Sequence, residues 1–388
     1  MQQNYNLSED QLAFQSTARK FAEQQLAPYA KQWDANEEFA RATFVEAGKL
    51  GFMAMYIPEQ HNGIGLSRLD SSIIMEELAF GCTSTAAFIS IHNMAFNMLA
   101  RYGQEQVLDE WSEPLASGEK LASYCLTEPG AGSDAASLST KAELRDNHYL
   151  LNGTKAFISG AGASDLLVVM ARTGEAGPKG ISCFAVPADT SGVSFGKKEQ
   201  KLGWNSQPTC LINFENVQVP ETFRIGEEGQ GFSIAMEGLD GGRINIATCS
   251  VGTAKASLAL ATRYVKERQQ FGQALSDFQT TQFKLADMLT ELTAARQMIR
   301  LAAFKLDTND AEKSAYCAMA KRFATDVGFQ ICDEALQLHG GYGYIKEYPI
   351  ERHFRDTRVH RILEGTNEIM RLIIARRLLE DENLNLIH

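Results

Sequence analysis

The chain has 388 residues, of which 44% are hydrophobic and 22% charged, the balance of a globular protein with room for two or three domains and a large core. A formal net charge of −11 argues against a broad basic face for nucleic acid. Seven scattered cysteines without a C-x-x-C pair point to neither a disulfide framework nor a structural zinc site, and they fit a reducing compartment.

In chain order, Ser8-Glu9-Asp10-Gln11 has capping-box spacing, and Leu12, Ala18, Phe21, Ala22 and Leu26 follow on roughly one helical face. Further helical patterns run near 41–50, 69–80 and 84–101. The last of these is the most apolar, but His92, Asn93 and Asn97 interrupt it, so no membrane span is expected. Five of the nine prolines lie between Pro129 and Pro220, where short β patterns replace helical ones. The stretch from Tyr149 to Ser159 reads as strand, Asn152-Gly153 turn and strand, and Leu166–Met170, Ile181–Val186 and Cys210–Phe214 are further strand candidates. No proline occurs from Glu221 to Tyr348, and three long amphipathic segments fill that region, about 243–267, 276–306 and 312–338. Ser276 and Gln279 have capping-box spacing at the start of the second, and a last helix is expected near 366–380. The expected class is α+β: an N-terminal helical domain over 1–120, a middle β-barrel-like domain over 121–235, and a C-terminal four-helix bundle over 236–388.

Several chemistries find no support. There is no G-x-G-x-x-G after a strand, no Walker A sequence, no H-E-x-x-H and no G-x-S-x-G, and no histidines have metal-ligand spacing. The arginines at 352, 355, 358 and 361, with Glu351 and Asp356 interleaved, read as a solvated or subunit-facing stripe held by ion pairs. The run from Lys197 to Lys201 reads as an exposed strand edge or loop.

Three segments suggest ligand chemistry. Glu364 stands between aliphatic residues and Gly365, just before the last helix; a covering ligand would desolvate its carboxylate and make it a stronger base. The plain alternative is an acidic residue favoured by a helix N-terminus. Thr127-Glu128-Pro129-Gly130-Ala131-Gly132-Ser133-Asp134 would let backbone N–H groups approach a phosphate or a ring edge, or serve only as an interdomain loop. Asp240-Gly241-Gly242-Arg243 reads as the approach to the first bundle helix, with Arg243 able to bind an anion there or to lie on the surface.

The order and spacing of these segments resemble the acyl-CoA dehydrogenase family. Tyr124 to Asp134 is similar to its flavin signature, Glu267-Arg268-Gln269-Gln270-Phe271-Gly272 to its E-R-x-x-F-G segment, and Leu338 to Tyr344 and Glu364 to Glu368 to two more. The resemblance covers nearly the whole chain. It implies that Glu364 is the general base taking the α-proton of an acyl-CoA thioester, with the β-hydrogen passing as hydride to N5 of FAD. Donors at the thioester oxygen would be the backbone N–H of Glu364 and a ribityl hydroxyl of FAD, because an unaided carboxylate is too weak for so weak an acid. It further implies that Tyr124, Leu126, Thr127, Gly132, Ser133, Phe157, Ile158 and Ser159 line the isoalloxazine and pyrophosphate. Phe157 stands where many members carry tryptophan. Arg268, Phe278, Gln279, Gln337, Leu338, His339, Gly340 and Gly341 match FAD contacts supplied across a dimer interface, and Thr366, Asn367 and Glu368 a final FAD segment. Ser133, Asp240, Gly241, Gly242, Arg243 and Arg376 match acyl-CoA-binding positions. The partners implied are an acyl-CoA, an electron-transfer flavoprotein and three further copies in a homotetramer, with no metal, nucleic acid or membrane.

Leu363 precedes the base where many straight-chain members have tyrosine, and a smaller side chain leaves room for a branch on the α-carbon. Gly81 to Thr85, Ile89 to Met94 and Gly203 to Pro208 resemble the branched-chain subgroup acting on isobutyryl-CoA in valine catabolism, although Asp240 stands where that subgroup has asparagine. One methyl group changes discrimination by only about 1–3 kcal/mol, so 2-methylbutyryl-CoA and butyryl-CoA stay open as alternatives. So do an acyl-CoA oxidase and a non-catalytic acyl-CoA-binding protein of the same fold. The N-terminus Met1-Gln2-Gln3-Asn4-Tyr5 reads as neither a signal nor a transit peptide, which favours the bacterial cytoplasm, or the mitochondrial matrix for a processed form.

Overall fold

The computed structural model describes residues 7–382 and 386–387. The N-terminal stretch Met1 to Tyr5 lies outside them. Six helices come first: α1 (Glu9–Phe21), α2 (Ala30–Asn36), α3 (Arg41–Gly48), α4 (Arg68–Gly81), α5 (Thr83–Tyr102) and α6 (Glu105–Ala116). The expected capping box starts α1: the Gln11 amide donates to Ser8 Oγ and the Ser8 amide to Gln11 Oε1, both at 3.1 Å.

Eight strands form the middle sheet: β1 (Ala122–Cys125), β2 (Lys141–Arg145), β3 (His148–Ser159), β4 (Leu166–Arg172), β5 (Ile181–Pro187), β6 (Val193–Phe195), β7 (Thr209–Pro220) and β8 (Arg224–Ile225). Their order is β6-β7-β3-β2-β4-β5-β8, with β1 parallel to β4. Strand β4 is apolar from Leu166 to Ala171 because both its faces are covered there. Leu166, Val168 and Met170 join a core with α5, α6 and the later helices, whereas Leu167, Val169 and Ala171 join Tyr149, Phe184 and Phe214 inside the β domain.

The expected turn at Asn152-Gly153 does not form. Strand β3 runs straight through it and pairs with β7 on both sides, Leu151 with Val217 and Gly153 with Phe214, across a register shift. Gly153 has φ +150°, and a Cβ there would lie 2.7 Å from the Thr140 Cα. The glycine therefore marks a bulge with a close backbone approach rather than a reversal. The reversal comes earlier, at Asp146-Asn147 between β2 and β3, where Asp146 has φ +51°.

The C-terminal helices are α7 (Gly231–Glu267), α8 (Gln279–Asp307), α9 (Lys313–His339), α10 (Ile350–Arg358) and α11 (Asn367–Glu380). Helix α7 starts twelve residues before the expected 243, so Asp240 to Arg243 sits inside the helix and not ahead of it. Glycines at 231, 238, 241 and 242 disguise the start, since glycine is a poor helix former in isolation. Close approach accounts for the first of them, where a Cβ on Gly231 would lie 2.3 Å from the Ser182 carbonyl carbon, and Met98 Cε and the Arg68 guanidinium occupy the space beside Gly238 and Gly241. Helix α8 opens at Gln279 behind a 3-10 turn over Leu275–Asp277, with no side-chain cap from Ser276. The arginine stripe is less solvated than expected: Arg352 is buried, and Arg355 pairs with Asp34 and Glu351 at 2.7 and 2.6 Å. Lys197 to Gln200 form an exposed loop, but Lys201 turns inward and donates to the Gln207 carbonyl at 2.5 Å.

Helix α7 is the axis of the molecule. Ile234 and Ala235 belong to the core shared with the sheet, Ile246 and Cys249 to the N-terminal core, and Val251, Ala254 and Ala261 to the C-terminal core. Its middle is thus held from all sides, which makes it a rigid platform for whatever lies against residues 238–243.

Candidate active site

Glu364 lies against that platform. It has φ +56° and Gly365 has φ +87°, so two consecutive residues are left-handed just before Thr366 caps α11, its Oγ1 accepting from the Ile369 amide at 3.3 Å. A left-handed glutamate is held only where the surroundings over-determine it. The residue as a whole is half-buried, yet its Oε2 is fully buried and accepts no hydrogen bond from any described residue. A Cβ on Gly242 would lie 2.8 Å from the Glu364 Cδ and 3.1 Å from the Met94 sulfur, so the missing side chain leaves the space that the carboxylate fills. Burial pushes Glu364 up to about 7, while the Arg243 and Lys321 cations pull the other way. A buried carboxylate poised near neutrality has the character of a general base.

Its neighbours are charged but largely spoken for. Arg243 is buried and donates to Asp240 at 2.5 Å, and Asp240 accepts from Ser314 at 2.5 Å; Arg243 Nε has no partner. This is a buried ion pair beside the base, not the free surface cation that its sequence position suggested. The Tyr124 hydroxyl on β1 is also buried without a partner, and burial, followed by the Glu364 charge, holds its phenol well above the usual range. Leu363 packs on the N-terminal core with Trp204 and Ile246.

The Thr127–Ser133 loop is fixed from beneath. Glu128 is buried and accepts from Lys155 Nζ at 2.8 Å, from the Thr140 amide at 2.9 Å, and from both the amide and hydroxyl of Ser139. Against its own burial, the Lys155 charge and these bonds pull Glu128 down to about 2. Lys155 also donates to the Leu126 carbonyl at 3.0 Å, and the Ala156 amide to that of Thr127 at 2.8 Å. The backbone above is open: a Cβ on Gly130 or Gly132 would meet nothing within 4 Å. Beside it Phe157, with φ +55° at a second register shift in β3, is 70% exposed, whereas Ile158 is buried and Ser159 Oγ accepts from Gln207 at 3.3 Å.

A third group lies elsewhere. Arg268, Gln337, Leu338, His339, Gly340 and Gly341 line an open cavity of about 400 Å³. His339 stacks on Tyr264 at 4.3 Å, Phe278 meets the 94% exposed Phe271 edge-on, and Gln279 is exposed. Arg243 on α7 and Arg268, the residue just past its end, are 25 residues apart, about 37 Å at 1.5 Å per residue. This cavity and Glu364 therefore cannot contact one small ring within a single chain. Asn367 is buried and Glu368 exposed on α11; Arg376 is exposed there and bonds to no described residue.

Comparison with known proteins gives the family. Acyl-CoA dehydrogenase models match in succession, the N-terminal domain over 8–119, the middle domain over 123–217 and the C-terminal domain over 229–379. The chain belongs to the acyl-CoA dehydrogenase family. It is 55% identical over 375 residues to mitochondrial isobutyryl-CoA dehydrogenase of Bos taurus, covering 97% of this chain and 90% of that protein. Against the mitochondrial isobutyryl-CoA dehydrogenase of Dictyostelium discoideum the identity is 56%, covering 97% and 91%. Among solved structures, butyryl-CoA dehydrogenase from Megasphaera elsdenii superposes with a TM-score of 0.94 at 38% identity, covering 97% of this chain and all of that one. As a family member the chain is an oxidoreductase, and FAD is its cofactor.

The residues present fit that cofactor. An exposed aromatic held left-handed at a bulge, open glycine backbone at 130 and 132, and a partnerless buried phenol suit a flat ring and a pyrophosphate. Neither Lys155 nor Lys321 was legible as part of the site, although the apolar run Cys317 to Ala320 directly before Lys321 is a signal that could have raised it. Among the described residues no helix is long and apolar enough to cross a membrane.

Proposed function

We propose that Glu364 is the base of this acyl-CoA dehydrogenase and that its substrate is isobutyryl-CoA, oxidised to methacrylyl-CoA in valine degradation. The observation that carries the assignment is the buried, partnerless Oε2 of Glu364 set against Gly242. The carboxylate removes the α-proton, and the backbone N–H of Glu364 supports the thioester oxygen as charge builds on it. When bound, FAD supplies the acceptor for the β-hydride. The Tyr124–Ser133 segment and Phe157 to Ser159 would hold its ring and pyrophosphate, with Thr366 to Glu368 behind them. Asp240 to Arg243, with Ser133 and Arg376, would hold the acyl-CoA, and the Asp240–Arg243 pair would act there mainly by orienting the segment.

Leu363 beside the base leaves room for an α-methyl group, in keeping with the two isobutyryl-CoA dehydrogenase relatives. The separation along α7 supports an assembly in which the cavity at Arg268 and Gln337–Gly341 serves the FAD of a second copy, in a homotetramer built as a dimer of dimers. Electrons would leave to an electron-transfer flavoprotein, in the bacterial cytoplasm or the mitochondrial matrix.

The test is anaerobic bleaching of the flavin absorbance by isobutyryl-CoA, with 2-methylbutyryl-CoA and butyryl-CoA alongside. Fastest bleaching by isobutyryl-CoA is expected. Preference for either other substrate would keep the reaction and remove the substrate assignment. Absence of bleaching by all three with FAD bound would remove this reading.

A further inference from the structure

Lys321 sits in the first half of α9 and is wholly buried. Its Nζ donates to the Gly365 carbonyl at 2.7 Å and to Asn367 Oδ1 at 2.9 Å. Both acceptors are neutral, so a buried ammonium is held without a directly bonded carboxylate, a costly arrangement unless it serves something. Gly365 is the second of the two left-handed residues that carry the base, and Asn367 opens the helix that follows. Asn367 is itself fixed, donating to Asp326 and Thr325 at 3.0 Å each. The chain α9–Lys321–Gly365 thus runs from a rigid helix to the strained turn of Glu364. On that turn's other side stand Gly242 and Met94.

The geometry points to Lys321 as a positioning residue for Glu364, clamping the turn through the Gly365 carbonyl and favouring the ionised carboxylate by its charge. The charged and titratable groups around the pair are Arg243 on α7, Tyr124 on β1, Asp326 on α9, Glu368 on α11 and His360 between α10 and the turn. Arg243 assists Lys321 in drawing Glu364 down, but it is already bonded to Asp240; the bond to the turn's backbone belongs to Lys321. Burial lowers Lys321 to about 7, with Glu364 the largest influence opposing it, so each group favours the other's charged form.

This inference rests on Glu364 being the base. The experiment follows the pH dependence of flavin reduction by isobutyryl-CoA in the holoenzyme variants K321M and K321Q. The Glu364 carboxyl is titrated in parallel by its infrared C=O band, taken as a difference against E364Q. Removing the cation leaves burial less opposed, so the acid limb and the infrared midpoint should rise by about one pH unit in both variants. K321Q, which keeps a donor for Gly365, should recover most of the wild-type rate at high pH; K321M should stay at least about tenfold lower in kcat with KM little changed. A purely structural role would lower rate or melting temperature without moving either midpoint, and midpoints unmoved in K321Q overturn the proposal even if K321M fails to fold. Near-normal turnover by E364Q would instead show that the base assignment had failed.

Discussion

Gly242→Ala tests the base and its platform together. In a helix interior alanine is ordinarily the better residue by roughly 0.5–1 kcal/mol, so secondary-structure propensity predicts a neutral or stabilising change. The new Cβ, however, would lie 2.8 Å from the Glu364 Cδ, where ordinary contacts begin at 3.4–4 Å. Helix α7 is locked by three cores and the carboxylate is the tip of a side chain, so the carboxylate moves, by about 1 Å. Misplacing a reacting group by that distance costs about 10²-fold in rate, or about 2.7 kcal/mol of transition-state stabilisation. The assay is stopped-flow flavin reduction at saturating isobutyryl-CoA, with melting temperature and FAD content measured on the same preparations. The expected result is a loss in kcat with KM, FAD content and melting temperature little changed. If kcat stays within about threefold of wild type, Glu364 does not act from its observed position. A rise in KM alone would mean that the methyl group obstructs the acyl chain and leaves the base in place.

Glu364→Gln should abolish flavin reduction while keeping FAD, and should also raise stability. Glu364 is held at about 7 when folded, above its unfolded value, so the wild type loses stability as pH rises toward 7; thermal melts should show the variant's gain at pH 8 and little gain near pH 4. In wild-type protein the same value places the acid limb of kcat/KM near pH 7, with rate falling as pH drops; a limb near pH 4.5 would contradict the burial argument. Lys155→Met leaves the Glu128 carboxylate buried and unpaired, so denaturant unfolding should show a loss of about 3–5 kcal/mol together with weaker FAD retention. Phe157→Gly removes a left-handed, exposed phenylalanine; flavin-release melts should show faster FAD loss with no drop in the apoprotein's melting temperature. An unchanged FAD affinity would deny Phe157 its role against the ring.

Much of this was legible along the chain. Helix α9 was expected at 312–338 and spans 313–339, α5 was expected at 84–101 and spans 83–102, and the Ser8 capping box formed as written, because each is recorded in residues three or four apart. Glu364 and the Thr127–Ser133 loop stood out for a similar reason: their composition is unusual for their immediate neighbours. What adjacency does not record was missed or misread. Asn152-Gly153 has the chemistry of a turn, and only pairing with β7 and the nearness of Thr140 made it a bulge. Asp240 to Arg243 read as the approach to a helix until Arg68 and Glu364 came within reach of Gly241 and Gly242. The sequence alone marked most of the long helices, several of the strands and the residue types that could carry the chemistry. Tertiary structure decided the state of the base, because the burial of Glu364, the gap at Gly242 and the Lys321 bond to Gly365 join residues 44 to 122 positions apart, and desolvation depends on what surrounds a group in space.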